Sequence, residues 1–167
     1  VNNPNNQVSV LFICMGNICR SPTGEGVFQY YVREAGQESN IRIDSAGTIG
    51  YHTGDPADAR MQAAAKKRGY SLDSLARQVS SADIEDFDLI VAMDVENLEY
   101  LDYLAGGRMS HIRMLGSFLD VSEDPVMGPS VPDPYYGGDA GFEEVLDMIE
   151  AACPVMLEHC LTILGDR

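Results

Sequence analysis

Cys14 and Arg20 stand six positions apart in Cys-Met-Gly-Asn-Ile-Cys-Arg, and Ser21-Pro22 follows directly. Residues of those types at that spacing suit chemistry on a phosphate: a thiol to meet phosphorus, and a planar guanidinium fork to hold two of its oxygens. Gly16 and Asn17 are types that tolerate left-handed backbone, so the loop between can curl with its amide N–H groups inward. Ser21 and Pro22 read as the N-cap and first position of a helix whose N-terminus stands behind the anion. Such a field favours thiolate over thiol at Cys14. Cys19, Cys153 and Cys160 lack the partner, since Glu25, His159 and Asp166 stand six positions after them.

A second chemical group lies far along the chain. Between Leu119 and Gly138 the prolines Pro125, Pro129, Pro132 and Pro134 break any periodic pattern, and a stretch of that length without elements of its own is characteristically functional or disordered. It contains Val131-Pro132-Asp133-Pro134-Tyr135-Tyr136, an acid on a stiff loop with two aromatics beside it. Asp124-Pro125 has no following Tyr. His52, His111 and His159 are isolated, and no metal-ligand spacing is present, so no metal site is expected.

The elements that must position these groups follow from periodicity. Val8 to Ile13 is an apolar, β-branched-rich strand that stops at Cys14. Pro22 to about Ala35 has a helical apolar face of Val27, Phe28, Tyr31 and Val32. Gly24 and Gly26 cost that helix about 1 kcal/mol each relative to Ala, and close packing is one reason to keep them. Ile41 to Asp44 reads as a second strand followed by the loop Ser45-Ala46-Gly47-Thr48. Asp58 to Arg68 reads as a helix stopped by Gly69, and Phe87 to Met93 as a third strand. Asp94 caps a helix to about Leu104, and His111 to Leu115 is a weaker fourth strand. Asp139 to Leu164 is a closing helix with Phe142, Val145, Leu146, Ile149, Val155, Met156 and Leu161 as its stripe and a kink at Pro154. The fold expected is α/β, a four-stranded parallel sheet with helices on both faces, with the Cys14 loop at the carboxyl edge. Residues 1–7 read as a polar leader and 8–167 as one domain.

Composition narrows the partners. A formal charge of -15, with only 11 Lys and Arg, argues against nucleic acid and against acidic membrane surfaces. With no apolar run near 18 residues and no signal peptide, the expectation is a soluble, cytoplasmic protein without membrane insertion. The 4 Cys make no disulfide framework and point to a reducing compartment.

The Cys14 to Ser21 loop after the first strand, together with Asp133-Pro134-Tyr135, resembles the low-molecular-weight protein tyrosine phosphatase family over nearly the whole chain. The resemblance implies Cys14 as nucleophile, Arg20 as phosphate holder and Ser21 as support for the leaving thiolate. Met15, Gly16, Asn17, Ile18 and Cys19 would complete the phosphate loop, and Asp133 would be general acid and then base. Tyr51, Tyr135 and Tyr136 would wall a deep phosphotyrosine pocket. It further implies a phosphocysteine intermediate, no cofactor, tyrosine-phosphorylated proteins as substrates and a cognate tyrosine kinase as counterpart. Asn17 and Ser45 match the family's loop-supporting network, but Ser74 stands where a His commonly precedes Ala76-Arg77-Gln78. Cys19, common in the family, is either a disulfide partner that protects oxidised Cys14 or a small apolar residue behind the loop. Three other readings use the same cradle. Phosphoarginine hydrolysis goes with Thr rather than Ile18, arsenate reduction needs resolving cysteines, for which Cys153 and Cys160 are the pair available, and a phosphate-sensing module needs no acid.

Overall fold

The computed structural model describes residues 6–119, 124–135 and 137–167. β1 (Val8–Cys14) lies inside a four-stranded sheet of order β2-β1-β3-β4 and pairs in parallel with β2 (Ile41–Gly47) on one side and β3 (Leu89–Ala92) on the other. β4 (Ile112–Met114) adds in parallel to β3. The chain leaves β1 for β2 on one flank and returns to β3 on the other, so a crevice opens at the carboxyl ends of β1 and β3. The strand alternation of β1 sends Val8, Val10, Phe12 and Cys14 to one face and Leu11 and Ile13 to the other. On the first face lie α1 (Arg20–Glu34), α2 (Ala59–Lys67) and α5 (Asp139–Gly165). The second face is covered by α3 (Ser81–Asp86) and α4 (Val95–Ala105).

Several boundaries differ from the sequence expectation, each for a local reason. α1 begins at Arg20, with Cys19 as its N-cap and no side-chain cap, so Ser21 and Pro22 occupy the second and third helical positions. Ser21 is not the cap because its hydroxyl turns back to Cys14, and Pro22 still falls where a missing N–H costs nothing. β2 continues through Ser45-Ala46-Gly47 because its register with β1 holds to the last pair, Cys14 with Gly47. β3 is shorter than expected, since Phe87 is the C-cap of α3. That short helix went unpredicted although Ser80 and Asp83 form its capping box, the Ser80 N–H donating to Asp83 Oδ2 at 2.8 Å. A short 3-10 helix, Leu115–Phe118, follows β4 and was likewise unpredicted.

By length and composition α5 is apolar enough to cross a membrane, contrary to the expectation that no such run exists. It packs against α1 and α2, burying Phe142, Val145, Leu146, Ile149, Ala152, Cys153, Met156 and Cys160 at helical spacing. Val155 and Leu161 lie off that face, and Val155 is exposed. The helix runs through Pro154 on its exposed side, where water can take up the freed carbonyl.

The glycines of α1 are packing residues. A Cβ at Gly24 would lie 2.6 Å from Phe12 Cδ1 and 3.0 Å from Met93 Cε, and one at Gly26 would lie 2.6 Å from the Ser71 carbonyl oxygen. Gly24→Ala is therefore expected to destabilise the protein by about 1–3 kcal/mol through overpacking, more than offsetting the gain of about 1 kcal/mol in helix propensity. Urea unfolding of the two proteins checks this, and a more stable variant would refute the close approach of α1 to the sheet.

Candidate active site

Cys14 ends β1 on the α1 face, and the continued pairing of Thr48 N–H to Cys14 O (2.9 Å) and Ile49 N–H to Met15 O (3.1 Å) fixes the strand end. Its Sγ lies 3.0 Å from Ser21 Oγ. That hydroxyl already accepts from Asn17 Nδ2 at 2.8 Å, and its own hydrogen has two candidates, Cys14 Sγ and the more distant Ala46 O at 3.4 Å. Against an anionic sulfur the shorter, charge-assisted bond wins. Asn17 sits at φ +57°, and its carboxamide holds that left-handed turn by accepting from Arg77 N–H (3.0 Å) and donating to Ser45 Oγ (3.0 Å). Ser45 donates in turn to Glu25 Oε1 at 2.6 Å, and Ser74, at the usual His position, is near enough to the same carboxylate to favour its charged form. Burial raises the pKa of Glu25, and the two serine hydroxyls only partly counter it.

Gly16 serves close approach rather than left-handed backbone: a Cβ there would lie 3.1 Å from His52 Cδ2. His52 in turn packs edge-on against Tyr51 at 4.9 Å between centroids.

Arg20 is buried. Its Nη1 donates to Asp94 Oδ2 at 2.6 Å and to Val131 O at 3.0 Å, while Nη2 lies 3.7 Å from Asp133 Oδ2. Burial works against its charge, but Cys14, Asp94 and Asp133 together outweigh it and raise the pKa above the ordinary guanidinium value. Asp94 caps α4 with its other oxygen, accepting from Asn97 N–H at 2.8 Å. Asp133 Oδ1 accepts from Tyr135 N–H at 3.0 Å, which leaves Oδ2 to face the pocket.

The resulting pocket, about 440 Å³, is lined by Cys14, Met15, Gly16, Ile18, Cys19, Arg20, Tyr51, Asp133 and Tyr135, all expected from sequence, and by Ile49 and His52, which were not. Asn17 and Ser21 are buried behind the loop, where their side chains support it. Tyr136 lies outside the described residues. Asp94 and Glu25 were also missed as site-supporting groups, although a capping Asp immediately after the third strand stands at the carboxyl edge by position alone. Cys153 and Cys160 lie on the buried face of α5, and burial pushes the Cys160 thiol up to about 12. Among the described residues no three His, Cys, Asp or Glu side chains converge to hold a metal ion.

A strand, an anion-sized loop and an uncapped helix N-terminus with a thiol at the base define a phosphate-handling α/β site. The family model for the low molecular weight phosphotyrosine protein phosphatase matches residues 9–162, and the chain belongs to that family. It is 46% identical over 152 residues to the low molecular weight protein-tyrosine-phosphatase YfkJ of Bacillus subtilis, covering 90% of this chain and 94% of the relative. The crystal structure of YfkJ superposes with a TM-score of 0.84, covering 93% of this chain and 96% of that one. The human low molecular weight phosphotyrosine protein phosphatase is 40% identical over 153 residues, with 90% and 94% covered. A Drosophila arginine phosphatase is similar at 34% identity and a TM-score of 0.79, with 90% and 96% covered.

The perturbed carboxyl behind the loop gives a pH signature. Because the folded-state pKa of Glu25 is raised, its contribution to stability is full below the unfolded value near 4.3 and is lost as pH rises through the folded value. Glu25→Gln does not titrate. The stability difference should therefore move in the variant's favour as pH is raised from about 4, then level off. Urea unfolding across that range reads it, and a flat or opposite trend would remove Glu25 as a perturbed group.

Proposed function

We propose that this protein is a protein tyrosine phosphatase that hydrolyses phosphotyrosine and aryl phosphates through a phosphocysteine intermediate. The observation that carries the reading is the convergence of Cys14, Arg20 and Asp133 on one pocket. The Cys14 thiolate attacks phosphorus, and Nη2 of Arg20 with the loop amides holds the equatorial oxygens as charge redistributes. As the P–O bond breaks, the phenolate oxygen takes the proton of Asp133. The proton sits on Oδ2, because Oδ1 is engaged as an acceptor from Tyr135 N–H. In the second displacement Asp133 takes a proton from water, and the S–P bond breaks with the sulfur supported by Ser21. Tyr51 and Tyr135 are the aromatic walls for the substrate ring, and Met15 and Ile49 add apolar surface at its mouth.

Ile18 favours a flat aromatic over a guanidinium, so phosphotyrosine rather than phosphoarginine is the substrate of this reading. Burial of Cys153 and Cys160 in the core counts against an arsenate-reducing relay. The partners are tyrosine-phosphorylated proteins, with a cognate tyrosine kinase as the opposing activity. Four unpaired cysteines support a reducing, cytoplasmic setting.

Two substitutions test the chemistry. Cys14→Ser should abolish turnover and still bind inorganic phosphate, since the cradle is backbone and Arg20. Asp133→Ala should lower kcat/KM by about a hundredfold on phenyl phosphate and far less on dinitrophenyl phosphate, whose leaving group needs little protonation. Equal losses on both would reassign Asp133 from protonation to positioning.

The same reading includes redox control. Peroxide would convert Cys14 to a sulfenic acid, and Cys19 sulfur would then displace its hydroxyl as water to form a disulfide. Burial, followed by the nearby Asp58, pushes the Cys19 thiol up to about 12, so closure should be slow at neutral pH and quicken as pH rises. Wild type should regain activity with reductant after peroxide, whereas Cys19→Ser should not. Equal recovery would leave Cys19 as packing alone.

A further inference from the structure

We propose that Arg60 is a positioning residue for the acid step: it fixes the loop that presents Asp133 to the phosphate loop. The inference rests on the reading of Asp133 as general acid. Asp133 is half-exposed on a loop without regular structure, and a mobile acid would forfeit most of its value, because an error near 1 Å can cost about a hundredfold. One end of the loop is held through Val131, whose N–H donates to Met93 O at 2.8 Å and whose carbonyl accepts from Arg20. The other end needs an anchor beyond Asp133, and Arg60 supplies it.

Arg60 stands in the first turn of α2. Its Nη2 donates to Tyr135 O at 3.1 Å, and its guanidinium lies over the Tyr135 ring at 5.5 Å and the Phe142 ring at 4.9 Å. The fork is aimed by Asp58, the N-cap of α2, which accepts from Nε at 3.2 Å and from Nη2 at 3.0 Å. Asp58 in turn donates its own N–H to Ile18 O, inside the phosphate loop, at 2.7 Å. A continuous path thus runs from Ile18 through Asp58 and Arg60 to Tyr135, whose N–H holds Asp133 Oδ1. The acid is registered against the nucleophile loop itself rather than against the distant core. A planar fork is needed, since one ammonium cannot satisfy the Asp58 carboxylate and the Tyr135 carbonyl while stacking on two rings.

The position is about half exposed on its side chain, so substitutions there should leave the fold intact. The discriminating measurement is kcat/KM on two substrates with similar rings, phenyl phosphate and dinitrophenyl phosphate. Loosening the Tyr135 wall would weaken both alike, whereas a misplaced acid harms only the poor leaving group. Arg60→Ala should lower kcat/KM for phenyl phosphate about tenfold and change dinitrophenyl phosphate less than about threefold. Arg60→Lys should fall between Arg60→Ala and wild type. In the Asp133→Ala background, Arg60→Ala should add less than about twofold on phenyl phosphate, because there is no acid left to position. Equal losses on both substrates, no loss, or a full further decade in the Asp133→Ala background would overturn the proposal. If Asp133→Ala alone fails to discriminate between leaving groups, the acid assignment itself falls and takes this inference with it. If Asp133→Ala discriminates and Arg60→Ala does not, only the inference fails.

Discussion

A buried guanidinium is the constraint around which the site is arranged. Arg20 is 3% exposed and stays charged at every accessible pH, so the fold must surround it with negative groups or leave an uncompensated charge that would cost several kcal/mol. Three parts of the chain answer that demand. The end of β1 brings Cys14, the residue after β3 and its flanking turn brings Asp94, and the proline-rich loop brings the Val131 carbonyl and Asp133. Cys14 and Asp133 line the pocket on one side of the guanidinium, and Asp94 and the Val131 carbonyl hold it from the other. Asp94 and Val131 engage Nη1 alone. The other half of the fork is left toward the pocket.

Behind Cys14 the support is a relay of side-chain hydrogen bonds ending on a carboxyl. From Cys14 it passes through Ser21, Asn17 and Ser45 to Glu25. Each member has one orientation that satisfies both neighbours, so the relay fixes the rotor of Ser21 and with it the hydrogen offered to sulfur. Ser74 contributes at the far end, where its hydroxyl favours the charged form of Glu25. Burial raises the pKa of this carboxyl and Asp44 adds to the effect, more than the serine hydroxyls and Arg77 take back.

Much of this arrangement was legible in the sequence because it is local. Cys14 to Ser21 and Asp133 to Tyr135 are contiguous motifs, and the sheet and its helices follow from apolar runs and their period. What could not be read depends on tertiary register. β2 extends past Asp44 only because β1 pairs beside it to Gly47. Ser21 would have capped α1 on local preference, yet the thiol and Asn17 claim its hydroxyl, so the helix starts earlier with its first amides uncapped. Gly24 reads as a weak helix position until Phe12 is seen against it. Ile49 and His52 carry no motif, and only the fold returns them to the mouth of the pocket. The capping box of α3 was legible in principle, from Ser80 and Asp83, but six residues are too few for periodicity to announce a helix.

The two halves of the site are built to different tolerances, and the proposed chemistry accounts for the difference. The Cys14 half is core: Cys14, Asn17, Arg20 and Ser21 are all buried, and their geometry is set by strand pairing and the relay behind them. In the proposed reaction charge shifts among the phosphoryl oxygens in the transition state, and stabilising that shift requires dipoles that do not reorganise, so that half is rigid before substrate arrives. In the proposed reaction the Asp133 half has to admit an aromatic ring between Asp133 and the opposite wall, and it is built on a loop held at a few points instead of packed throughout. Those points are the Val131 N–H bond to Met93 O and hydrogen bonds from two arginines, one buried beside Cys14 and one on the rim of α2. Both guanidinium groups bind backbone carbonyls of the acid loop, at Val131 and Tyr135, leaving the side chains between them to meet the substrate. Sequence-remote segments thereby acquire a common frame of reference, the phosphate loop, to which Arg20 belongs and to which Arg60 is tied through Asp58 and Ile18.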